Sequence, residues 1–157
     1  MDLPEFPVEG GCQCGAVRYR LTGAPLGVYN CHCKDCQRFS GAGWAMSMPV
    51  ARERVELISG TLNAYDSVAD SGRVVRMLSC SRCNTRVWNE PLSAPAMLVL
   101  RPGTLDDISW VVSVGNIWTE SAAPWAPIDP RQVHFPGQPP DRQPLYDAWA
   151  ALTQKEA

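Results

Sequence analysis

Gly10-Gly11-Cys12-Gln13-Cys14-Gly15-Ala16-Val17-Arg18-Tyr19-Arg20-Leu21-Thr22 places two closely spaced thiols at the entrance of an alternating run. From Ala16 to Thr22, Val17, Tyr19 and Leu21 fall on one side and Arg18 and Arg20 on the other. That period of two is the signature of a half-buried strand. The glycines around the thiol pair let the backbone bend, so Cys12 and Cys14 are expected on a turn that enters the strand.

The same union of short strands and thiols recurs along the chain. Further strands are expected at Trp44 to Val50, Val55 to Ser59, Val74 to Ser79, Ala96 to Leu100 and Trp110 to Trp118, with a short one at Asn63 to Asp66. Gly10-Gly11, Gly41 to Gly43, Ser59-Gly60, Ser71-Gly72 and Pro102-Gly103 read as the turns between them. Fourteen prolines and twelve glycines disfavour long helices. Lys34 to Phe39 has room for a helical turn or two. Pro144 suits a first helical position ahead of the apolar stripe Tyr146, Trp149 and Leu152. The intervening Ala122 to Pro144 stretch, with seven prolines, is expected to run extended over the surface.

All seven cysteines fall into three clusters: Cys12-x-Cys14, Cys31-x-Cys33-x2-Cys36 and Cys80-x2-Cys83. Thiols at such spacings hold soft metals, above all zinc. The residue after a Cys-x2-Cys turn often needs a positive φ, and Asn84 tolerates it better than most side chains. Joining the 12/14 and 80/83 pairs staples distant parts of the chain, and loop closure over that span costs little more than over a short one. The middle trio reaches one ion from a single loop and leaves its far side open. Cys12, Cys14, Cys80 and Cys83 are therefore assigned to a closed structural zinc. Cys31, Cys33 and Cys36 are assigned to an open, catalytic zinc, giving two zinc ions per chain. His32, lying between two ligands, is expected to point away from their metal, and His134 to serve packing.

Charge excludes other classes. The formal net charge is −2 and only 19% of residues are charged, without the Lys/Arg cluster of a nucleic-acid footprint. The acidic N-terminus lacks the apolar run of a signal peptide, and no stretch approaches a membrane span. A cytoplasmic setting, where thiols stay reduced, is the expectation. The 157 residues suit one domain, with its core at about 10–140 and a C-terminal extension at 141–157. Asp106-Asp107 reads as a turn.

The runs Gly11 to Tyr19, Cys31-His32-Cys33-Lys34-Asp35-Cys36-Gln37-Arg38-Phe39-Ser40-Gly41 and Cys80-Ser81-Arg82-Cys83-Asn84-Thr85 together resemble the glutathione-dependent formaldehyde-activating enzyme family, whose zinc domain also occurs in centromere protein V. Ile117-Trp118-Thr119-Glu120-Ser121 followed by Pro124-Trp125 resembles that family's C-terminal signature. The resemblance implies a mainly β fold, a β-tent of small curved sheets around zinc, and the same division of the cysteines. It also implies a carbon–sulfur lyase that adds glutathione, or a similar thiol, to formaldehyde or another small aldehyde, with the thiol bound at the open three-cysteine zinc. Two positions depart from the pattern: Asn84 replaces a usual glycine, and Asn116 stands where a histidine is common, which bears on a pocket wall and on substrate identity.

The open site is anionic, so a neighbouring cation should help to hold substrate. Arg38, two residues after Cys36, is the chosen candidate among Lys34, Arg38, Arg82 and Arg86, with Ser40 as a hydrogen-bond donor. Of the six tryptophans, Trp44 and Trp125 are the pocket candidates. The competing reading is a non-catalytic zinc-stabilised β module that binds a protein partner. It predicts four protein ligands at the Cys31–Cys36 site, or no cavity there.

Overall fold

The structure is a computed structural model that describes residues 1–69 and 72–154. Among these, strands run at β1 (Val8–Gly11), β2 (Arg18–Leu21), β3 (Tyr29–Cys31), β4 (Ala45–Ala51), β5 (Val55–Ser59), β6 (Leu62–Val68), β7 (Val74–Cys80), β8 (Arg86–Pro91), β9 (Met97–Leu100), β10 (Gly115–Ile117) and β11 (Val133–Phe135). Two helices, α1 (Lys34–Ser40) and α2 (Gln143–Thr153), join them. The protein is mainly β, built of short strands, with a short C-terminal helix. No described helix is long and apolar enough to cross a membrane.

The chain forms two compact units. One comprises Leu3–Pro25 and Met48–Trp110, the other residues 1–2, 26–47 and 111–154. In the first, β2 lies between β1 and β5, antiparallel to both, with Val8 opposite Leu21 and Tyr19 opposite Leu57. Val17, Tyr19 and Leu21 are all fully buried, as their alternation requires. A second antiparallel ladder runs β6, β7, β8, β9 and the last four residues of β4. Its Met48, Val50, Val87 and Leu100 are fully buried, and the Tyr19 and Trp88 rings meet edge to face at 5.9 Å.

In the other unit, β3 pairs antiparallel with the first residues of β4, placing Cys31 opposite Ala45. Strand β10 lies parallel to β3 and β11 parallel to β10, so that Ile117 faces Cys31 and Asn116 faces His134. Helix α2 begins with a proline in its first turn and buries Leu145 and Trp149. A β-carbon on Gly115 would lie 2.4 Å from Leu145 Cδ2, so only glycine lets helix and strand close.

Four expectations need revision. The Trp110–Trp118 run is a strand only over Gly115–Ile117, because the boundary between the units divides it: Trp110 packs on Phe6 while the rest pairs with β3. Gly10-Gly11 is not a turn but the end of β1. A β-carbon on Gly10 would stand 2.5 Å from both Thr104 O and the Tyr19 hydroxyl, so glycine there serves close packing. The proline-rich stretch contributes β11, and β6 is longer than Asn63–Asp66. Of the expected Ser71-Gly72 turn, Ser71 lies outside the described residues, and Gly72 has a positive φ of 77°.

Candidate metal centres

Each unit carries one thiol cluster. In the first, Cys12 follows β1 in a turn closed by Gly15 N–H on Cys12 O (3.0 Å), with Gly15 at φ 77°. Cys80 ends β7, and Asn84 N–H closes the Cys80–Cys83 turn on Cys80 O at 3.0 Å. Asn84 is left-handed at φ 59°, as the thiol spacing requires. Gln13 N–H donates to Thr85 Oγ1 (3.2 Å) and ties the two turns together. The Thr85 hydroxyl also lies 3.1 Å from Cys83 Sγ and can donate to it as a thiolate.

The sulfurs of Cys12, Cys14, Cys80 and Cys83 all lie within 4.8 Å of one another. Cys12 and Cys14 stand 3.5 Å apart, and Cys14 and Cys80 3.9 Å. A tetrahedral ion with sulfurs at ~2.3 Å sets them ~3.8 Å apart, so the four fit zinc. Backbone N–H groups of Val17 and Arg82 point at Cys12 Sγ (3.2 Å) and Cys80 Sγ (3.4 Å), the outer hydrogen bonds that steady thiolate ligands. The thiols are electrostatically unequal. The Thr85 hydroxyl, with the Thr85 and Cys14 amides, holds Cys83 down at about 5. Ala16 N–H favours the Cys14 thiolate, but crowding by Cys12 and the other sulfurs pushes that thiol up to about 11.

The second cluster begins where β3 ends. Cys31 is buried, and Cys33 caps α1: its backbone is extended (φ −62°, ψ 155°) and its Sγ accepts Cys36 N–H at 3.4 Å. Gly41, left-handed at φ 67°, ends the helix by donating its N–H to Gln37 O. Cys31, Cys33 and Cys36 also gather within 4.8 Å. Their wall is apolar: Cys31 packs with Tyr29, Ile117 and Leu145, and Cys33 and Cys36 lie against that group beside Trp118 and Phe135. Contact with the Cys31 and Cys36 thiols, and the helix amides, bring Cys33 down to about 2, while the same contacts and burial raise Cys31. The cluster thus favours the Cys33 thiolate and disfavours the Cys31 thiolate, an imbalance a cation among the three sulfurs would relieve.

His32 points away from the thiols, as its place between two of them predicted. It is 1% exposed, and its Nε2 lies 2.9 Å from Asn116 Oδ1. Its ring stacks at a tilt on Trp44 (5.9 Å), which meets Trp125 at 6.5 Å. Trp125 is 70% exposed, and Gly43 underlies it so closely that a β-carbon would come within 2.6 Å of the ring. His134 Nε2 donates to Asp129 O at 2.8 Å. Asp106 forms a two-pronged ion pair with Arg18, and Asp107 accepts Ser109 N–H (2.8 Å), so the acidic pair is structural.

Arg38 is exposed on the last turn of α1 and makes no hydrogen bond or ion pair among the described residues. The Ser40 hydroxyl donates to Trp44 O (2.9 Å) and accepts Ala42 N–H (3.2 Å), which closes the turn after the helix. Lys34 is held by Gln37 Oε1 (3.1 Å) and Ser121 O (3.4 Å). Arg82 is exposed, and Arg86 donates to Asn89.

Sequence reasoning did not single out Gln37, whose side-chain amide donates to both His32 O (2.7 Å) and Ser121 O (2.9 Å). It also passed over the half-buried Asn30 and Gln132, which join the buried Asn116 in a polar network. No local pattern marks such residues, because, the Gln37 bond to His32 O apart, their partners lie more than ten positions away. Asn116 is fully buried inside that network. Trp118 sits left-handed at φ 60°, ψ 40°, where a bulky side chain is strained, beside the thiol wall.

A mainly β chain with two cysteine clusters that could hold metal ions has the donor set of a thiolate-metal protein. The family model of the glutathione-dependent formaldehyde-activating enzyme matches residues 7–121, and the chain belongs to that family. The fold is also similar to the crystal structure of a Rhodobacter sphaeroides protein, with 17% identity and a TM-score of 0.52 over 81% of this chain and 98% of that one.

Proposed function

We propose that this protein is a zinc-dependent carbon–sulfur lyase that joins a thiol, glutathione or a similar one, to formaldehyde or another small aldehyde. Cys31, Cys33 and Cys36 hold the catalytic zinc, and Cys12, Cys14, Cys80 and Cys83 a structural one. The carrying observation is that three thiols converge with no fourth Cys, His, Asp or Glu joining them among the described residues, while both histidines are bonded elsewhere. Family membership supports the reaction class.

When bound, zinc at the three-thiol site supplies Lewis acidity that favours the thiolate of an incoming thiol. The reaction breaks the S–H bond, forms a C–S bond to the carbonyl carbon, and leaves the proton on the carbonyl oxygen as the new hydroxyl. No electrons are gained or lost. The chain's own part is to orient and to exclude water. The apolar wall of Trp118 and Phe135 limits solvent beside the thiols, and Cys36 N–H steadies the Cys33 sulfur. Arg38 offers a free guanidinium to an anionic substrate group, and Ser40 holds the turn that follows it. Seven cysteines outside any disulfide suit a reducing, cytoplasmic setting.

The test is formaldehyde consumption with glutathione and with a panel of other thiols, measured against the uncatalysed addition. Acceleration with at least one thiol, absent after removal of zinc, is expected. No acceleration with any thiol, together with a fourth protein ligand on the metal, would leave the non-catalytic partner-binding module as the better reading.

A further inference from the structure

A chain of buried and half-buried amides runs from a backbone carbonyl to the three-thiol loop, and its polarity follows from that carbonyl. Ser113 O can only accept, so Gln132 Nε2 donates to it (2.7 Å) and Gln132 Oε1 is left to accept. Asn116 Nδ2 donates to that oxygen at 2.9 Å. Asn116 Oδ1 is therefore an acceptor, taking His32 Nε2–H at 2.9 Å and Asn30 Nδ2–H at 3.3 Å. His32 carries its proton on Nε2 as a result, and its Nδ1 is buried without a partner in the protein.

His32 is also held through its main chain. Its N–H donates to Ile117 O (3.0 Å) and its carbonyl accepts Gln37 Nε2 (2.7 Å). In extended chain, neighbouring side chains point to opposite faces. Fixing the His32 ring on one face consequently sends Cys31 and Cys33 together to the other, where they meet Cys36.

We propose that Asn116 is a positioning residue for the three-thiol centre: through His32 it fixes the segment from which two of the three sulfurs converge, and so sets that site's metal affinity. The inference rests on the reading of this cluster as a zinc site. Hydrogen bonds made directly to a metal's ligands typically change its affinity about 10- to 100-fold when removed; His32 is not a ligand, so that range is the ceiling for a bond that acts on the thiols through the backbone.

The test compares the full-length wild type with Asn116→Leu and Asn116→Asp, following zinc per chain under chelator competition and the absorption spectrum of the cobalt-substituted protein. N116L removes the acceptor and should weaken zinc at the three-thiol site by up to about 100-fold, with the four-thiol site unchanged. N116D keeps an acceptor for His32 and should restore the wild-type cobalt spectrum. Equal zinc affinity in N116L and wild type would overturn the inference. Should N116L lose both metals by unfolding, Gln132→Leu frees Asn116 from its anchor while keeping the His32 acceptor. A selective loss at the three-thiol site then supports the inference, and wild-type affinity overturns it. A wild-type protein that binds a single zinc refutes the two-zinc reading instead.

Discussion

The Cys33 sulfur accepts the backbone N–H of Cys36 at 3.4 Å, so one clustered thiol caps the helix that carries another. A metal held by these thiols would share an atom with helix initiation, and substitutions can separate the two roles. Serine is a good N-cap but a poor partner for soft metals. Cys33→Ser is expected to lose one zinc per chain while α1 stays capped. Cys33→Ala should lose the same zinc and about 1 kcal/mol more stability, or roughly 3 °C in Tm. Metal analysis and thermal melts of the two variants check this.

The four-thiol cluster gathers the turn after β1 and the end of β7, with Cys80 fully buried. Its loss should be global. Cys80→Ala is expected to lower stability by at least ~3 kcal/mol, since a structural zinc contributes folding energy directly. Cys31→Ala should keep a cooperative melt with one zinc retained. Circular dichroism with metal analysis separates the two, and a wild-type melt for Cys80→Ala would remove the structural assignment.

Tyr19 is fully buried between sheets, and burial pushes its hydroxyl up to about 12 from an ordinary 10. Thr104 Oγ1 donates to Arg101 O (2.8 Å), so the Tyr19 hydroxyl is the donor in its own 2.8 Å bond to Thr104. A group raised on folding contributes stability below its unfolded pKa and loses it as pH climbs toward the folded value. Stability should therefore fall between pH 10 and about 12, by up to about 2.7 kcal/mol from this residue. Tyr19→Phe should cost about 1 kcal/mol at neutral pH and flatten that alkaline slope. Urea denaturation of both proteins across this range is the measurement.

Asn84 holds φ at 59° in the Cys80–Cys83 turn. Asn84→Gly should keep or slightly raise stability, whereas Asn84→Val should lose about 1–2 kcal/mol, the usual cost of a left-handed side chain. Chemical denaturation reads the difference. Equal stability of the two variants would mean that the turn relaxes away from this conformation.

Local pattern alone specified much of this protein. Alternation placed Val17, Tyr19 and Leu21 inside, Pro144 and the apolar stripe placed α2, and spacing grouped the seven thiols as their sulfurs are now grouped in space. The strand, the helix and each thiol pair or trio are legible because each is a relation between residues a few positions apart; the meeting of the 12/14 and 80/83 pairs spans 66 positions and follows from ligand count rather than local pattern. Strands β3 and β11 have only three residues each, too few to show a period, and both pair in parallel with the distant β10. Tertiary structure alone decided that Gly10 serves packing, that Trp110 and Ile117 belong to different units, and that His32 is anchored by Asn116 and ultimately by Ser113 O. The physical reason is that a buried amide takes whatever partner the fold brings to it. Which one it meets is settled only when strands 84 residues apart lie side by side.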